Sequence, residues 1–409
     1  MTMAQTGSGP GLLPAASWSL AGQVGFYGLQ WLNMIILARL SGPEAVGLYT
    51  LGLALANPIM ALGSLMFRMV YITDQQNRWG FADYNAVRFV ALPLGVVAIG
   101  AVAFGLGYGD LTLIMILLAA SWKMAETLSD VNYAIPHKTG DMRAIAVSMV
   151  ARAAVSSLVL ALALKLTARL DLSLAAFSVV WWLFYLFYDR RFERDAEAKK
   201  GEASRIELVR FAMPMAVSAA VVYLTFSLPR IVLDQYENTA TLGVFAAISH
   251  LLLIGALVVN SLGSAITPRL SRHFAAGNLT HYYREVTIGV AAAALVSFGF
   301  IVVAAIAGEF LITLIYGRAI GSEASLIVAM SLASFPIYVG SMLGFVPPAL
   351  QAYRFHLAVN IITVAGTALA AFWFIPDHGA LGAIYAIAVQ GCLQLLNALI
   401  LFRRPRHAA

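Results

Sequence analysis

The chain has 409 residues, of which 61% are hydrophobic and 11% charged, with a mean hydropathy of +0.82. A soluble protein of this length carries about 25% charged residues, so the composition excludes a soluble globular domain and points to a multi-pass membrane protein. The formal charge of +6 is a topology signal rather than a sign of nucleic-acid binding, because the basic residues concentrate on one side of the predicted spans.

The opening stretch "MTMAQTGSGPGLLPAASWSL" has no positive n-region and does not read as a cleaved signal peptide. Residues 1–12 are expected to form a disordered tail. Apolar runs of ~20 residues, broken by polar or Gly/Pro punctuation, then predict twelve membrane helices. They start near Leu13, Glu44, Ala82, Leu111, Met142, Leu172, Ile206, Thr241, Tyr282, Glu323, Phe355 and Gly379. The stretch "GEFLITLIYGRAIGSE" before the tenth can also be read as the end of the ninth plus a loop.

Gln23, Gln30 and Asn33 mark a polar side of span 1. Span 2 carries Asn57, Ala61, Ser64 and Arg68 at helical spacing, with Arg68 either a snorkelling anchor or part of a lumen face. Arg88, early in span 3, reads as an interfacial anchor, as does Arg284 in span 9. Span 4 ends in "SWKMAETLSDVNY". At 100° per residue its Lys123, Glu126 and Asp130 fall on one face. Span 5 presents Asp141, Ser148, Arg152 and Ser156 as a second stripe.

The short turn "IPHKTGD" makes spans 4 and 5 antiparallel neighbours, so Lys123 and Arg152 are expected to meet Glu126 and Asp130 near the midplane. Each charge at the bilayer centre costs ~2.5–3.5 kcal/mol on insertion scales, so these groups should face inward. They form either a polar wall of a hydrated cavity or an ion-pair cluster that only locks the helices together.

The mixed-charge stretch "DRRFERDAEAKKGEASRIELVR", Asp189 to Arg210, reads as a solvated amphipathic linker at mid-chain, with residues 190–205 as the linker between the halves. Span 7 aligns Tyr223, Ser227, Arg230 and Asp234, and the last two are spaced to pair at i,i+4. His250 in span 8 reads as a helix–helix hydrogen bond. Cys392, the only cysteine, allows no disulfide within the chain and reads as a small core residue.

The two halves look alike at a shift of about 196 residues. "AVGLYTLGLA" meets "TLGVFAAISH", Arg88 meets Arg284, and Ser64 meets Asn260. The expected architecture is therefore all-α, with two six-helix lobes, 13–189 and 206–402, followed by a basic tail, 403–409. The substrate site is expected between the lobes. At a shift of 212, which pairs "SWKMAETLSD" with "SFPIYVGSML", the span 4 charges Lys123, Glu126 and Asp130 meet Phe335, Tyr338 and Met342, so the second half lacks them.

With the N-terminus in the cytoplasm, seventeen of the 26 Lys and Arg fall on the cytoplasmic side, against four on the other. That asymmetry predicts an N-in/C-in topology. No G-x-x-x-x-G-K-[ST] is present, no His/Cys cluster could hold a metal, and no large external loop could house a transferase or polymerase site. The expectation is a transporter, not an enzyme, with no cofactor. It would run on its substrate gradient or on an H+ or Na+ gradient. A cationic lumen suits an anion, since Arg grips phosphate through paired hydrogen bonds.

Several stretches then carry a family resemblance: "LSGPEAVGLYTLGLALANPIMALGSLMFRMVYITDQQ", "FADYNAVRF", "WKMAETLSDVNYAIPHKTGDMRAIAVSMVARA", "LPRIVLDQYENTATLGVFAAISHLLL" and "NSLGSAITPRLSRHFAAGN". The chain resembles the bacterial oligosaccharide flippases of the polysaccharide transporter group, the Wzx-type O-antigen and exopolysaccharide exporters. These belong to the multidrug/oligosaccharidyl-lipid/polysaccharide (MOP) superfamily, which also contains the MATE-like ion-coupled drug/cation antiporters. The turn "AIPHKTGD" departs from the pattern at Pro136, where a glutamine or other polar residue is expected.

The resemblance implies a flippase of the bacterial inner membrane that moves a polyprenyl-diphosphate-linked oligosaccharide from inner to outer leaflet by alternating access. It implies that Arg68, Lys123, Arg152 and Arg230 hold the diphosphate and glycan. It also implies that Glu126, Asp130 and Asp234 neutralise or couple, and that Asn57, Ser64, Ser148 and Asn260 line the lumen. The implied partners are the lipid-linked substrate, membrane lipid and the polysaccharide polymerase or export machinery. The rival within the superfamily is the drug/cation antiporter.

Overall fold

The computed structural model describes residues 12–74, 76–196, 203–323 and 325–402. These residues form helices and no strand. In chain order the helices are α1 (Leu12–Ser41), α2 (Pro43–Ser64), α3 (Phe67–Thr73), α4 (Phe81–Gly105), α5 (Asp110–Asn132), α6 (Ala134–Lys138), α7 (Met142–Thr167) and α8 (Leu170–Phe187). They continue with α9 (Arg205–Tyr236), α10 (Thr239–His250), α11 (Leu252–Ala275), α12 (Leu279–Tyr316), α13 (Arg318–Gly321), α14 (Ser325–Leu343), α15 (Val346–Ala349) and α16 (Tyr353–Gln394). Two 3-10 segments, Asp189–Asp195 and Leu395–Phe402, follow α8 and α16. Residues 1–11, the middle of the charged linker (197–202) and the basic tail (403–409) lie outside the described residues.

Among the described residues, ten helices are long and apolar enough to cross a membrane, taking α2 with α3, α5 with α6, α10 with α11 and α14 with α15 as continuous. The long helix α1 is not among the ten; Gln23, Gln30 and Asn33 lower its hydropathy. A helix can expose its sides to hydrocarbon because its backbone N–H and C=O groups are satisfied inside the element. Eleven of the twelve starts expected from punctuation fall within three residues of helix starts, since polar caps and glycines act locally, and the twelfth, Gly379, falls at a break inside α16. The Asp141 side chain accepts from the Ala144 N–H to open α7, and Asn238 accepts from Thr241 to open α10. The stretch "GEFLITLIY" belongs to the end of α12, and α14 starts afresh at Ser325. Helix α16 breaks at Gly379, whose φ of 53° and ψ of −126° no helical residue adopts, three residues after Pro376.

The chain divides into two compact units. One holds α1 and Leu55–Ala220; the other holds Gly42–Ala54 and the chain from Val221 onward. In the first, α1 packs along α7, α7 on α8, α8 on α5 and α5 on α4. Spans 4 and 5, expected to be direct neighbours, are α5 and α7, and α8 packs against both. Its aromatic face supplies the filling: Phe177 meets Trp122 of α5 edge-on, and Trp181 meets Phe26 of α1. In the second, α12 packs on α11 and α14, and α14 on α16. The first turns of α2 meet α10 there through two glycines. A methyl group on Gly47 would collide with the Thr239 carbonyl, and one on Gly243 with the Pro43 carbonyl. The two contacts mirror each other, since Gly47 and Gly243, and Pro43 and Thr239, are each 196 residues apart, the offset of the internal repeat.

Candidate functional site

The charges of α5 do not form one cluster with Arg152. They divide among three partners. Lys123 Nζ and Glu126 Oε2 pair within α5 at 2.7 Å, one turn apart, both side chains partly accessible. Asp130 instead accepts from Arg68, Nη1 to Oδ1 at 2.9 Å. Arg68 lies in the first turn of α3, just after Leu65 and Met66, which both take left-handed conformations. This break between α2 and α3 turns Arg68 toward α5, and its Nη2 also comes within 3.4 Å of His137 Nδ1 on α6. The Asp130 side chain remains 48% exposed, so the pair is open to solvent or ligand. Ser64 closes α2: its hydroxyl donates to the Ala61 carbonyl at 2.7 Å and accepts from the Met66 N–H at 3.2 Å. It is a helix stop as much as a wall residue.

Arg152 is placed elsewhere. Its side chain is 1% exposed and donates from Nη1 to Asp189 Oδ2 at 3.2 Å, with Asp189 fully buried. The guanidinium lies 4.4 Å from the centre of the Trp181 ring. Ser148, the other stripe residue of α7, donates to Asp189 Oδ1, and its hydroxyl is 2.8 Å from the Tyr133 hydroxyl. The expected meeting of Arg152 with Glu126 and Asp130 is therefore corrected. Because α8 lies against both α5 and α7, the residue just past the end of α8 reaches Arg152 first. No substrate can touch Arg152 or Ser148 in this conformation.

Arg88 is likewise not an interfacial anchor. It is fully buried, donating to the Leu128 carbonyl at 2.7 Å, Asn132 Oδ1 at 2.8 Å and Glu193 Oε1 at 3.1 Å. Asp189 and Glu193 both belong to the 3-10 segment Asp189–Asp195, so two buried arginines from two helices grip one short segment. Sequence reasoning assigned "DRRFERD" to a solvated linker and passed over both acids. The available signal was arithmetic: Arg88 and Arg152 lie inside apolar helices, and each buried charge needs a counter-charge.

In the other unit, Arg230 of α9 is partly buried and has no carboxylate partner among the described residues; His250, in the last turn of α10, is within electrostatic reach. The expected i,i+4 pair of Arg230 with Asp234 does not form; Asp234 interacts elsewhere, though its Oδ1 makes no hydrogen bond. Asn260 on α11 is exposed and Asn57 on α2 is partly buried. Among the described residues, no three His, Cys, Asp or Glu side chains come together to hold a metal. Chemically, the helices present paired and unpaired cations, several of them accessible.

The family pattern described as "Polysaccharide biosynthesis protein" matches residues 12–274. The chain is 24% identical over 384 residues to the capsular polysaccharide biosynthesis protein CapF of Staphylococcus aureus, covering 92% of this chain and 95% of that one. Its fold is similar to that of the lipid II flippase MurJ in an inward closed conformation, with a TM-score of 0.73 at 13% identity, over 94% of this chain and 87% of that one. It is also similar to an inward-facing multidrug resistance MATE transporter of the MOP superfamily, with a TM-score of 0.70 at 13% identity, over 94% and 96% of the two chains. With more than half of its length inside the matched pattern, the chain belongs to the polysaccharide biosynthesis protein family.

Proposed function

We propose that this protein is a flippase of the bacterial inner membrane. It moves a polyprenyl-diphosphate-linked oligosaccharide from the inner to the outer leaflet by alternating access, for surface polysaccharide biosynthesis. Membership of the family supports the substrate class, and the names of CapF and MurJ agree with it. The observation that carries the chemistry is Arg230, a cation inside a membrane helix with no carboxylate partner among the described residues. An uncompensated guanidinium is costly at that depth unless an anion visits it, and a diphosphate is such an anion. Arg68 and Lys123 are accessible second contacts, while Asp130 and Asp234 are the carboxylates that an H+ or Na+ coupling step would use. Arg152 serves instead to hold the 3-10 segment.

The ten long apolar helices, α1 and the break of α16 at Gly379 support twelve crossings. The bias of Lys and Arg supports both termini in the cytoplasm. Lobes 13–189 and 206–402 joined by linker 190–205 remain the proposed domain plan. Partners would be the lipid-linked substrate, the surrounding lipid and the polymerase or export machinery.

The test is complementation of a strain lacking its own flippase. Arg230→Ala should abolish polysaccharide export at normal membrane levels, and Arg230→Lys should keep part of it. Normal export by the alanine variant would overturn the assignment. The half-exposed Asp130 favours a second reading, an ion-coupled cation antiporter on the same fold. Dye efflux that depends on Asp130, with no export, would establish that reading instead.

A further inference from the structure

A groove of about 830 Å³ lies between the second half of α2, the middle of α4 and the first turns of α9, all within the unit that holds Leu55–Ala220. None of the clusters described above uses it. Gly63 of α2 and Gly95 of α4 line it, where a methyl group on either would meet the facing helix, so the two helices run close together along its floor. Its rim is formed by Val90 and Leu94 of α4 and Ile206 of α9, which are 61%, 62% and 66% exposed. Along α4 the groove runs from Ala86 to Ala98. At 1.5 Å per residue that is about 18 Å, close to the ~15 Å of hydrocarbon in one leaflet. The groove is therefore as deep as one leaflet and lined by carbon.

Arg205 and Arg210 are its only charged lining residues among the described residues. Arg205 donates to Asp83 Oδ1 at 3.0 Å yet remains 59% exposed. Arg210 is exposed and has no ion pair among the described residues. Just outside, Trp79 donates from Nε1 to the Ser204 carbonyl, and the Arg78 guanidinium lies within 5 Å of both the Trp79 and Phe211 rings. Tryptophan beside arginine at a helix end is the composition of a membrane–water interface. The acids nearby are already engaged or lie outside the lining: Asp83 pairs with Arg205, Asp74 with Arg78, and Glu207 does not line the groove.

We propose that this groove is a binding site for an anionic phospholipid of the adjacent leaflet, with one acyl chain along α4 and the phosphate between Arg205 and Arg210. Ordinary boundary lipid would show no preference among headgroups. Two cations at the mouth of a groove with no lining acid among the described residues favour a net negative headgroup, whereas the ammonium of a zwitterionic lipid would meet them unfavourably. The site is separate from the transported substrate, and the proposal stands whether or not the flippase reading does.

Native mass spectrometry of the full-length protein in detergent, titrated with phosphatidylglycerol or phosphatidylethanolamine of identical chains, tests it. The wild type should retain phosphatidylglycerol in preference, by about five-fold per arginine. Arg210→Gln, which breaks no ion pair, should lose most of that preference without a change in melting temperature. Ala91→Trp, placed in the groove lining, should reduce retention of both lipids. Equal retention of the two lipids by the wild type, or an unchanged preference in Arg210→Gln, would overturn the proposal. So would displacement of phosphatidylglycerol by an equimolar polyprenyl phosphate, which would give the groove to an isoprenoid lipid.

Discussion

Arg152 and Asp189 form a pair in which both side chains are essentially removed from solvent. Removing one member of such a pair leaves an uncompensated buried charge, at a cost of about 3–5 kcal/mol. Asp189→Ala should therefore lower the melting temperature in detergent sharply and reduce membrane levels, and Arg152→Ala should do the same. Replacing both with apolar residues, Arg152→Met with Asp189→Leu, should restore most of the stability and also restore export. A stable but export-dead double variant would show that Arg152 touches substrate. Arg68 and Asp130 behave oppositely. They are 22% and 48% exposed, and a pair that open is worth about 0–1 kcal/mol. Arg68→Ala should leave the melting temperature nearly unchanged while export falls about ten-fold or more, if the guanidinium meets the diphosphate in transit. Loss of stability without a separate transport defect would make Arg68 only a brace between α3 and α5.

At the level of elements, the 3-10 segment Asp189–Asp195 stands out because its two acids serve buried arginines from α4 and α7. Asn132 on α5 closes the network, donating to Glu193 Oε1 at 3.1 Å and to the Asp189 carbonyl at 3.3 Å. The segment thus ties α4, α5 and α7 together beside the start of the linker. Glu193→Ala should strand Arg88 and cost stability comparable to the loss of Asp189, whereas Arg190→Ala, at an exposed side chain, should cost little. Thermal melts of the two variants side by side check this. The α2–α10 crossing is the other element-scale feature. Gly47→Ala and Gly243→Ala each push a methyl group into a facing carbonyl. Each should destabilise by about 1–3 kcal/mol through overpacking. The two should be strongly non-additive in a double variant, because the residues share one contact.

For the whole molecule, the distribution of charge is the informative quantity. The first half concentrates paired charges in α3, α5 and α7, and the second half meets the corresponding positions with Phe335, Tyr338 and Met342. Tyr338 satisfies itself by donating to the Leu252 carbonyl at 2.7 Å, so that fold needs no ion pair there. Substitution of Arg230, the one lumen candidate of α9 without a carboxylate partner among the described residues, should abolish export without unfolding the protein.

The helices, their boundaries and the internal repeat were legible from the chain alone. A segment exposed to hydrocarbon must satisfy its backbone internally over about 20 apolar residues, and caps and glycines act within a few residues of where they stand. Even the Gly47–Gly243 contact follows the repeat offset. The pairing of charges was not legible. Periodicity put Lys123, Glu126, Asp130 and Arg152 at suitable heights and faces, but it cannot say which helix lies beside which. That α8 packs against both α5 and α7 decides that Arg152 takes Asp189, that Asp130 is left for Arg68, and that Lys123 closes on Glu126. A counter-charge is selected by distance across the packed bundle, which is a property of tertiary structure alone.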